Sequence, residues 1–345
     1  MSSTEHSSHA PTTRVVSPAQ KLGKGTFGAA VLLVKEETKE QYCGKLIKYK
    51  HMQPAEKEHV AREVRTMAHL SAEGGHPYIV RFRESFVLST GPLCIVMELC
   101  DGGDLGQLVA TAKKKRTGFS EEQVHLWLLQ MLAATDFLHT HRILHRDIKP
   151  ANVFMHSGVC KLGDLGLSKQ IMMASTQPGA HTQCGSPLYL APEVHMGMQY
   201  SKQIDMWAIG CTIFEVMMLA HAFQGSDNAR ILQNIVWARH ADIDGRWSDS
   251  LSKMVDQMLA LKPEARPDAC TLIKDPLFAP ALQSGHLHPG ALRHQQELAH
   301  IVLAESPTSI VPTEGVLGVD CKHGQGGSRP SSAPSGLARY FFTSR

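Results

Sequence analysis

Five polar side chains fall within one eight-residue run, His145-Arg146-Asp147-Ile-Lys149-Pro-Ala-Asn152, and Asp164 follows twelve residues later. A given set of five fixed residues arises by chance about once in three million starting positions at equal residue frequencies. Upstream, Gly23-Lys-Gly25-Thr-Phe-Gly28 forms a G-x-G-x-x-G, and Lys45 lies seventeen residues beyond Gly28. Glycines let backbone approach phosphates closely, and an ammonium can be aimed at phosphate oxygens. The glycine pattern alone is weak, because dinucleotide-binding folds use it where a strand turns into a helix. Here the glycines run into Ala30-Val31-Leu-Leu-Val, which reads as a strand, so the loop is expected to be a hairpin flap over phosphates. An ordinary glycine hairpin is the plain alternative. Burying Lys45 alone in its strand, Tyr42-Cys-Gly-Lys-Leu-Ile, would be costly. Glu63 is spaced to pair with it, the alternative being that both face solvent.

The elements that must hold these groups follow a simple order. From about Val15 to Phe86 the pattern is strand-rich, with one helix over Ala55–Leu70 that sets Val60, Val64 and Met67 on one face. Leu93-Cys-Ile-Val-Met is another buried strand. Helices are expected over Ser120–His139, Ser201–Leu219, Asp227–Ala238 and Ser248–Leu261. Sheet first and helices after argue an α+β fold rather than a doubly wound sheet. Beyond about Pro280 glycine and proline become frequent, and Gly324–Gly336 has linker composition.

Composition narrows the class. The chain has 345 residues with 43% hydrophobic, enough to build a core, and a formal charge of only +3. Neither nucleic acid nor a membrane surface is expected as the main partner. The eight Cys are scattered singly without a C-x-x-C pair, which points to reduced, mostly buried thiols in an intracellular protein. No signal peptide is read at the N-terminus. The longest apolar stretch, Trp207–Ala220, has 14 residues including Thr212 and Glu215, which suits a buried helix and is too short for a bilayer.

Across about Val15 to Pro280 the chain resembles the eukaryotic protein kinases. After the glycine loop, Lys45, Glu63 and the His145–Asn152 run come Asp164-Leu-Gly166, Ala191-Pro-Glu193, Asp205-Met-Trp207-Ala-Ile-Gly210 and Arg266, in the order that family keeps. The resemblance implies a two-lobed α+β fold, with ATP and Mg²⁺ as cofactors and Ser/Thr residues of proteins as substrates. Boundaries are expected at 15–97 for a β-rich N-lobe, 98–100 for a hinge and 101–280 for a helical C-lobe. A disordered lead-in at 1–14 and a mostly disordered tail at 281–345, with a short helix at 289–304, complete the expected organisation. Asp147 would accept the substrate hydroxyl proton, and Lys149 would reach the transferred phosphate in the Ser/Thr form of the loop. Asn152 and Asp164 would bind magnesium, a hard cation that prefers oxygen. Lys45 would hold the α/β-phosphates, fixed by Glu63, under a loop of Leu22, Gly23, Gly25 and Gly28. Adenine would lie between a roof of Ala30 and Cys43 and a floor of Phe154. It would be met by the backbone of Glu98 to Cys100 behind Met97. Asp104 would contact ribose, unless it caps the helix that follows.

Within that family, Ile95-Val-Met-Glu-Leu-Cys-Asp-Gly-Gly-Asp-Leu105, Lys161-Leu-Gly-Asp-Leu-Gly-Leu167 and His221-Ala-Phe resemble the NIMA-related (never-in-mitosis) kinases. Leu165 is the form of the D-x-G found in their short, coiled-coil-free members, and no heptad series is present here. Two departures stand out: Ala30 where Val is usual, and Cys43-Gly44 where Ala and Ile or Met are usual. Gly44 is expected to weaken its strand. Phe82, Met67, Leu165 and His145 are expected to stack, anchored by Asp205.

Arg146 beside Asp147 implies regulation by phosphate on the loop between Asp164 and Glu193. Thr182 matches the family's activating site, served by an upstream kinase. Ser186 matches the residue that bonds Asp147 and Lys149. Ala151, where basophilic kinases carry Glu, argues against strong selection for upstream Arg, and Leu167 hints at Ser over Thr. The family likeness implies a cytoplasmic location, with centrosome, basal body or nucleus as narrower sites. A nucleotide-binding scaffold without catalysis is the alternative, and the intact set Lys45, Glu63, Asp147, Asn152 and Asp164 argues against it. Oligomeric state is not legible.

Overall fold

The computed structural model describes residues 21–25, 28–165, 187–283 and 288. The lead-in at 1–14, Thr182, Ser186 and the short helix at 289–304 lie outside them. The expected α+β class holds. Five antiparallel strands, β1 (Lys21–Gly25), β2 (Gly28–Val34), β3 (Gln41–Ile47), β4 (Phe82–Val87) and β5 (Leu93–Glu98), form one sheet in the order β1-β2-β3-β5-β4. Strand β5 reads as a continuous apolar run because both of its faces are covered. Leu93 and Ile95 turn to one cluster with Ile47, Val60, Met67 and Phe82, while Cys94 and Val96 turn to another with Leu33.

Helix α1 (Pro54–Ala72) crosses between β3 and β4 and buries Val60, Met67 and Leu70. It starts at a proline, which needs no N–H there, and the Gln53 N–H donates to Glu56 Oε2 at 2.7 Å. The glycine in β3 has a packing reason. A Cβ at Gly44 would stand 2.7 Å from Leu33 Cδ1 and 3.1 Å from Val31 Cγ2, so the sheet face there is filled by neighbours instead.

The second lobe packs around α3 (Glu121–Thr140) and α5 (Gln203–Met218), after α2 (Leu105–Lys115). Helix α5 is apolar all round because it is the centre of the core. Met206, Trp207, Ile209, Ile213, Phe214, Val216 and Met217 are all fully buried. Shorter helices surround it: α4 (Pro192–His195), α6 (Asn228–Val236), α7 (Asp249–Met258), α8 (Ala269–Leu272) and α9 (Ala279–Gln283). Three residues expected as the first of a helix are instead its caps. Ser120, Asp227 and Ser248 each accept a backbone N–H three residues on, at 3.2, 2.8 and 3.3 Å. Helix α7 stops at Met258 rather than Leu261, ahead of Pro263.

The hairpin β6 (Val153–His156) and β7 (Val159–Leu162) was not anticipated. Its two-residue turn, Ser157-Gly158, has φ of 50° and 80°, the mirror-image turn that matches strand twist. The hairpin fixes the distance between Asn152 at its start and Asp164 just past its end. Among the described residues no helix is long and apolar enough to cross a membrane.

Candidate active site

The His145–Asn152 run forms a loop held from below by one carboxylate. Asp205, fully buried on α5, accepts the backbone N–H of His145 at 2.9 Å and of Arg146 at 2.8 Å, and His139 Nε2 lies 2.9 Å away. Arg146 has φ 65°, a left-handed conformation that costs ~1–3 kcal/mol without such support. The anchoring of His145 by Asp205 was legible from the sequence. His145 in turn places its Nε2 3.0 Å from Gly163 O, linking the loop to the segment that carries Asp164.

Asp147 is buried, and its Oδ2 accepts from Lys149 Nζ at 3.0 Å and from Asn152 Nδ2 at 2.8 Å. Asn152 Nδ2 donates a second bond to Asp147 O at 2.7 Å, and Gly163 N–H donates to Asn152 O at 3.0 Å. Both amide hydrogens of Asn152 are therefore used, which leaves Oδ1 as its ligand atom. Asp164, with φ 55°, turns its carboxylate to Lys45 across the cleft, Nζ to Oδ1 at 2.7 Å. Lys45, Asp147, Lys149, Asn152 and Asp164 thus converge on one site from β3, the loop before β6 and the end of β7.

The pairing of Lys45 differs from expectation. Its ammonium is bonded to Asp164, and Glu63 Oε2 is buried with no hydrogen-bond partner among the described residues. Burial pushes the Glu63 carboxyl up to about 7, against the pull of Arg146 first and Lys45 second. A carboxyl that gives up its charge is a poor counterion, and the ammonium is bonded to Asp164 instead. Because the folded value lies above the ordinary one, the stability Glu63 contributes is complete below ~4.5 and is lost as pH rises through about 7. A Glu63→Gln chain is therefore expected to gain in melting temperature on the wild type between pH 5.5 and pH 8. Thermal melts at ~pH 5.5 and ~pH 8 check this, and an unchanged difference would refute it.

The apolar side of the cleft is built from both lobes. Ala30 pairs with Lys45 in the sheet, and Cys43 pairs with Met97. Burial, then the charge of Asp164, pushes the Cys43 thiol up to about 12, so it is a packing group rather than a nucleophile. Cys100 is buried and likewise pushed to about 12. Phe154 is buried on β6 of the second lobe, and a Cβ at Gly163 would stand 2.6 Å from its ring. The glycine loop is the β1–β2 hairpin, with Gly25 opposite Gly28, Gly23 opposite Ala30, and Leu22 half-buried. A Cβ at Gly28 would meet Leu46 O at 1.5 Å, so no other residue fits there without moving the strands.

Two site residues also have side-chain roles within the fold. Asp104 is the N-cap of α2, its Oδ1 accepting Gln107 N–H at 2.9 Å, which is the plainer of its two readings. Glu98, expected to offer backbone, is held by its side chain. Each of its carboxylate oxygens is 2.9 Å from Lys161 Nζ, and Oε1 also accepts Arg81 N–H at 2.7 Å, which clamps the strand end to β7. Lys161 heads the Lys-Leu-Gly-Asp run, yet nothing in its spacing signalled a partner 63 residues away. Met67 and Phe82 are buried together with Leu165 packed on them, three of the four members of the stack expected from the sequence.

Comparison with known proteins agrees with this geometry. The protein kinase domain model matches residues 16–278. A probable serine/threonine-protein kinase nek2 from Dictyostelium discoideum is 36% identical over 257 residues, covering 73% of this chain and 60% of that protein. Serine/threonine-protein kinase Nek11 from Mus musculus is 33% identical over 267 residues, covering 76% and 41%. Serine/threonine-protein kinase Nek5 from Homo sapiens is 32% identical over 304 residues, covering 87% and 41%. The chain spans three fifths or less of the length of these curated relatives. A cleft that gathers Lys45, Asp147, Asn152 and Asp164, a family match over most of the length, and Nek relatives throughout lead to one conclusion: the chain belongs to the protein kinase family, among the NIMA-related serine/threonine kinases.

Proposed function

We propose that the protein transfers the γ-phosphoryl group of ATP to Ser and Thr hydroxyls of protein substrates. The observation that carries this reading is the hydrogen-bonded set Lys149–Asp147–Asn152 facing the Lys45–Asp164 pair across one cleft. Phosphoryl transfer asks a protein mainly for positioning and charge stabilisation, and these are the groups to do it. Asp147 takes the hydroxyl proton on its carboxylate while Asn152 and Lys149 hold that carboxylate in place. Lys149, tethered at 3.0 Å, also lies in reach of the phosphate in transit. Lys45 orients the α/β-phosphates beneath the glycine hairpin.

The donor set fits magnesium. Asp164 offers a carboxylate and Asn152 its Oδ1, both hard oxygens, and a cation of this kind is commonly held by one or two such groups plus phosphate. When bound, it would supply neutralisation of phosphate charge. Transfer to casein or to a peptide array, wild type against Asp164→Ala, tests the whole reading. Equal transfer by both would favour the nucleotide-binding scaffold instead.

Regulation by an upstream kinase belongs to the same proposal. Phosphorylated Thr182 would pair with Arg146, whose backbone is already fixed by Asp205. Ser186 would bond Asp147 and Lys149. The Thr182→Ala chain is expected to lose most of its transfer rate, and activity equal to wild type would remove this part. A cytoplasmic role at the centrosome, the basal body or the nucleus is supported by the family likeness alone.

A further inference from the structure

The His221-Ala-Phe run is held by its last two residues and so presents its first. Helix α5 is closed by Leu219, whose φ of 52° turns the chain aside. Phe223 is buried and stacks on Trp207, centroids 5.2 Å apart with planes at 6°. Ala222 is buried too, and its carbonyl accepts the Ala241 N–H at 2.9 Å. Gln224 Nε2 donates to His221 O at 3.2 Å, and Gln224 O accepts Asn234 Nδ2 at 2.7 Å. Backbone fixed on both sides leaves the His221 ring few places to stand.

The ring meets Glu215 of α5, Nδ1 to Oε2 at 3.2 Å. That same oxygen accepts the Tyr189 hydroxyl at 2.5 Å, and the two rings meet edge-on with centroids 6.2 Å apart. Burial first, then the charge of Glu215, pushes the Tyr189 phenol far up, so it keeps its proton and donates. Tyr189 ends the turn Pro187–Tyr189 and borders a small cavity with Arg146 and Ile148, the two neighbours of Asp147. His221 stays half exposed and can exchange its proton with water. The hydrogen bond to Glu215 raises its basicity above that of an ordinary imidazole, against partial burial and the charge of Lys113 on α2. Glu215, Tyr189 and Lys113 are the titratable groups that face it, from α5, the turn and α2.

We propose that His221 is a positioning residue whose proton tightens the hold of Glu215 on Tyr189, and thereby on the segment that flanks the Asp147 loop. A protein substrate offering its hydroxyl to Asp147 has to lie against that flank, so the protonated form favours its binding. Because the folded value lies above the ordinary one, the contribution of charged His221 is complete below about 6.5 and is lost as pH rises through the folded value. The substrate part rests on the kinase reading, whereas the clamp on Tyr189 does not.

NMR of the full chain, labelled with carbon-13 at His Cε1 and Tyr Cζ, tests the clamp between ~pH 5.5 and ~pH 8.5. The His signal missing from the His221→Gln chain is expected to titrate above the ordinary imidazole midpoint. The Tyr signal missing from the Tyr189→Phe chain is expected to shift with that same midpoint, and to stay fixed in the His221→Gln chain. A His221 midpoint at or below the ordinary one, or a Tyr189 signal that ignores it, would overturn the proposal. For the substrate part, His221→Gln is expected to raise KM for casein about 3-fold at ~pH 6 and less than about 1.5-fold at ~pH 8.5, with kcat and KM for ATP within about 1.5-fold. A KM ratio equal at both pH values would overturn it as well. A wild-type chain without transfer would instead defeat the kinase reading, and the two NMR signals would still decide the clamp.

Discussion

Exchanging Asp147 for Asn is expected to slow phosphate transfer by about 10²–10⁴-fold, the range that a positioned proton acceptor contributes. The substitution removes the proton acceptor and little else. Asp147 receives Lys149 and Asn152 on one oxygen, at 3.0 and 2.8 Å, and an amide oxygen can occupy that place. The loop backbone is set by Asp205, not by the Asp147 side chain. Binding of ATP should therefore survive, and the loss should fall on kcat with KM for ATP within about 3-fold of wild type. Steady-state kinetics at saturating ATP decide the matter. A kcat within about 3-fold of wild type would take Asp147 out of the chemistry, and a loss confined to KM would make it a binding group.

The second large effect concerns stability. Arg266 and Glu193 form a bidentate pair at 2.7 and 3.0 Å, with side chains 0% and 4% exposed. The guanidinium also donates to Ala260 O and Leu261 O, and lies 4.8 Å from the Trp207 ring centroid. One side chain thus joins α4, α5 and the end of α7. Removing one member of such a pair leaves a buried charge without its counterion, at a cost of about 3–5 kcal/mol. For a domain of this size that corresponds to a melting temperature lower by ~6–10 °C. Arg266→Met is expected to show this loss, and adding Glu193→Gln is expected to restore part of it. A single variant that melts within about 2 °C of wild type would show that the pair contributes little.

What could be read before any fold was known is local in origin. Asp147, Lys149 and Asn152 stand within six residues of each other, so backbone geometry alone brings their side chains together. The apolar runs of α5 and β5 are legible as composition, and the caps Ser120, Asp227 and Ser248 were visible as residue types even though each helix start was placed one residue early. The hairpin after Asn152 was missed because strands of four residues carry too little pattern to separate from loop.

Partner choice was decided elsewhere. Lys45 was expected to pair with Glu63, and nothing in the sequence pointed to Asp164 as its partner. The structure pairs the ammonium with Asp164 at 2.7 Å, and burial pushes the Glu63 carboxyl up toward neutrality. Glu98 found Lys161 and His288 came to Tyr78, each across a separation that no spacing rule covers. The sequence by itself determined which atoms are available and which short-range groups must meet. Only the tertiary structure decided which charges are desolvated and which surfaces adjoin, because dielectric and distance are properties of the packed whole rather than of any segment.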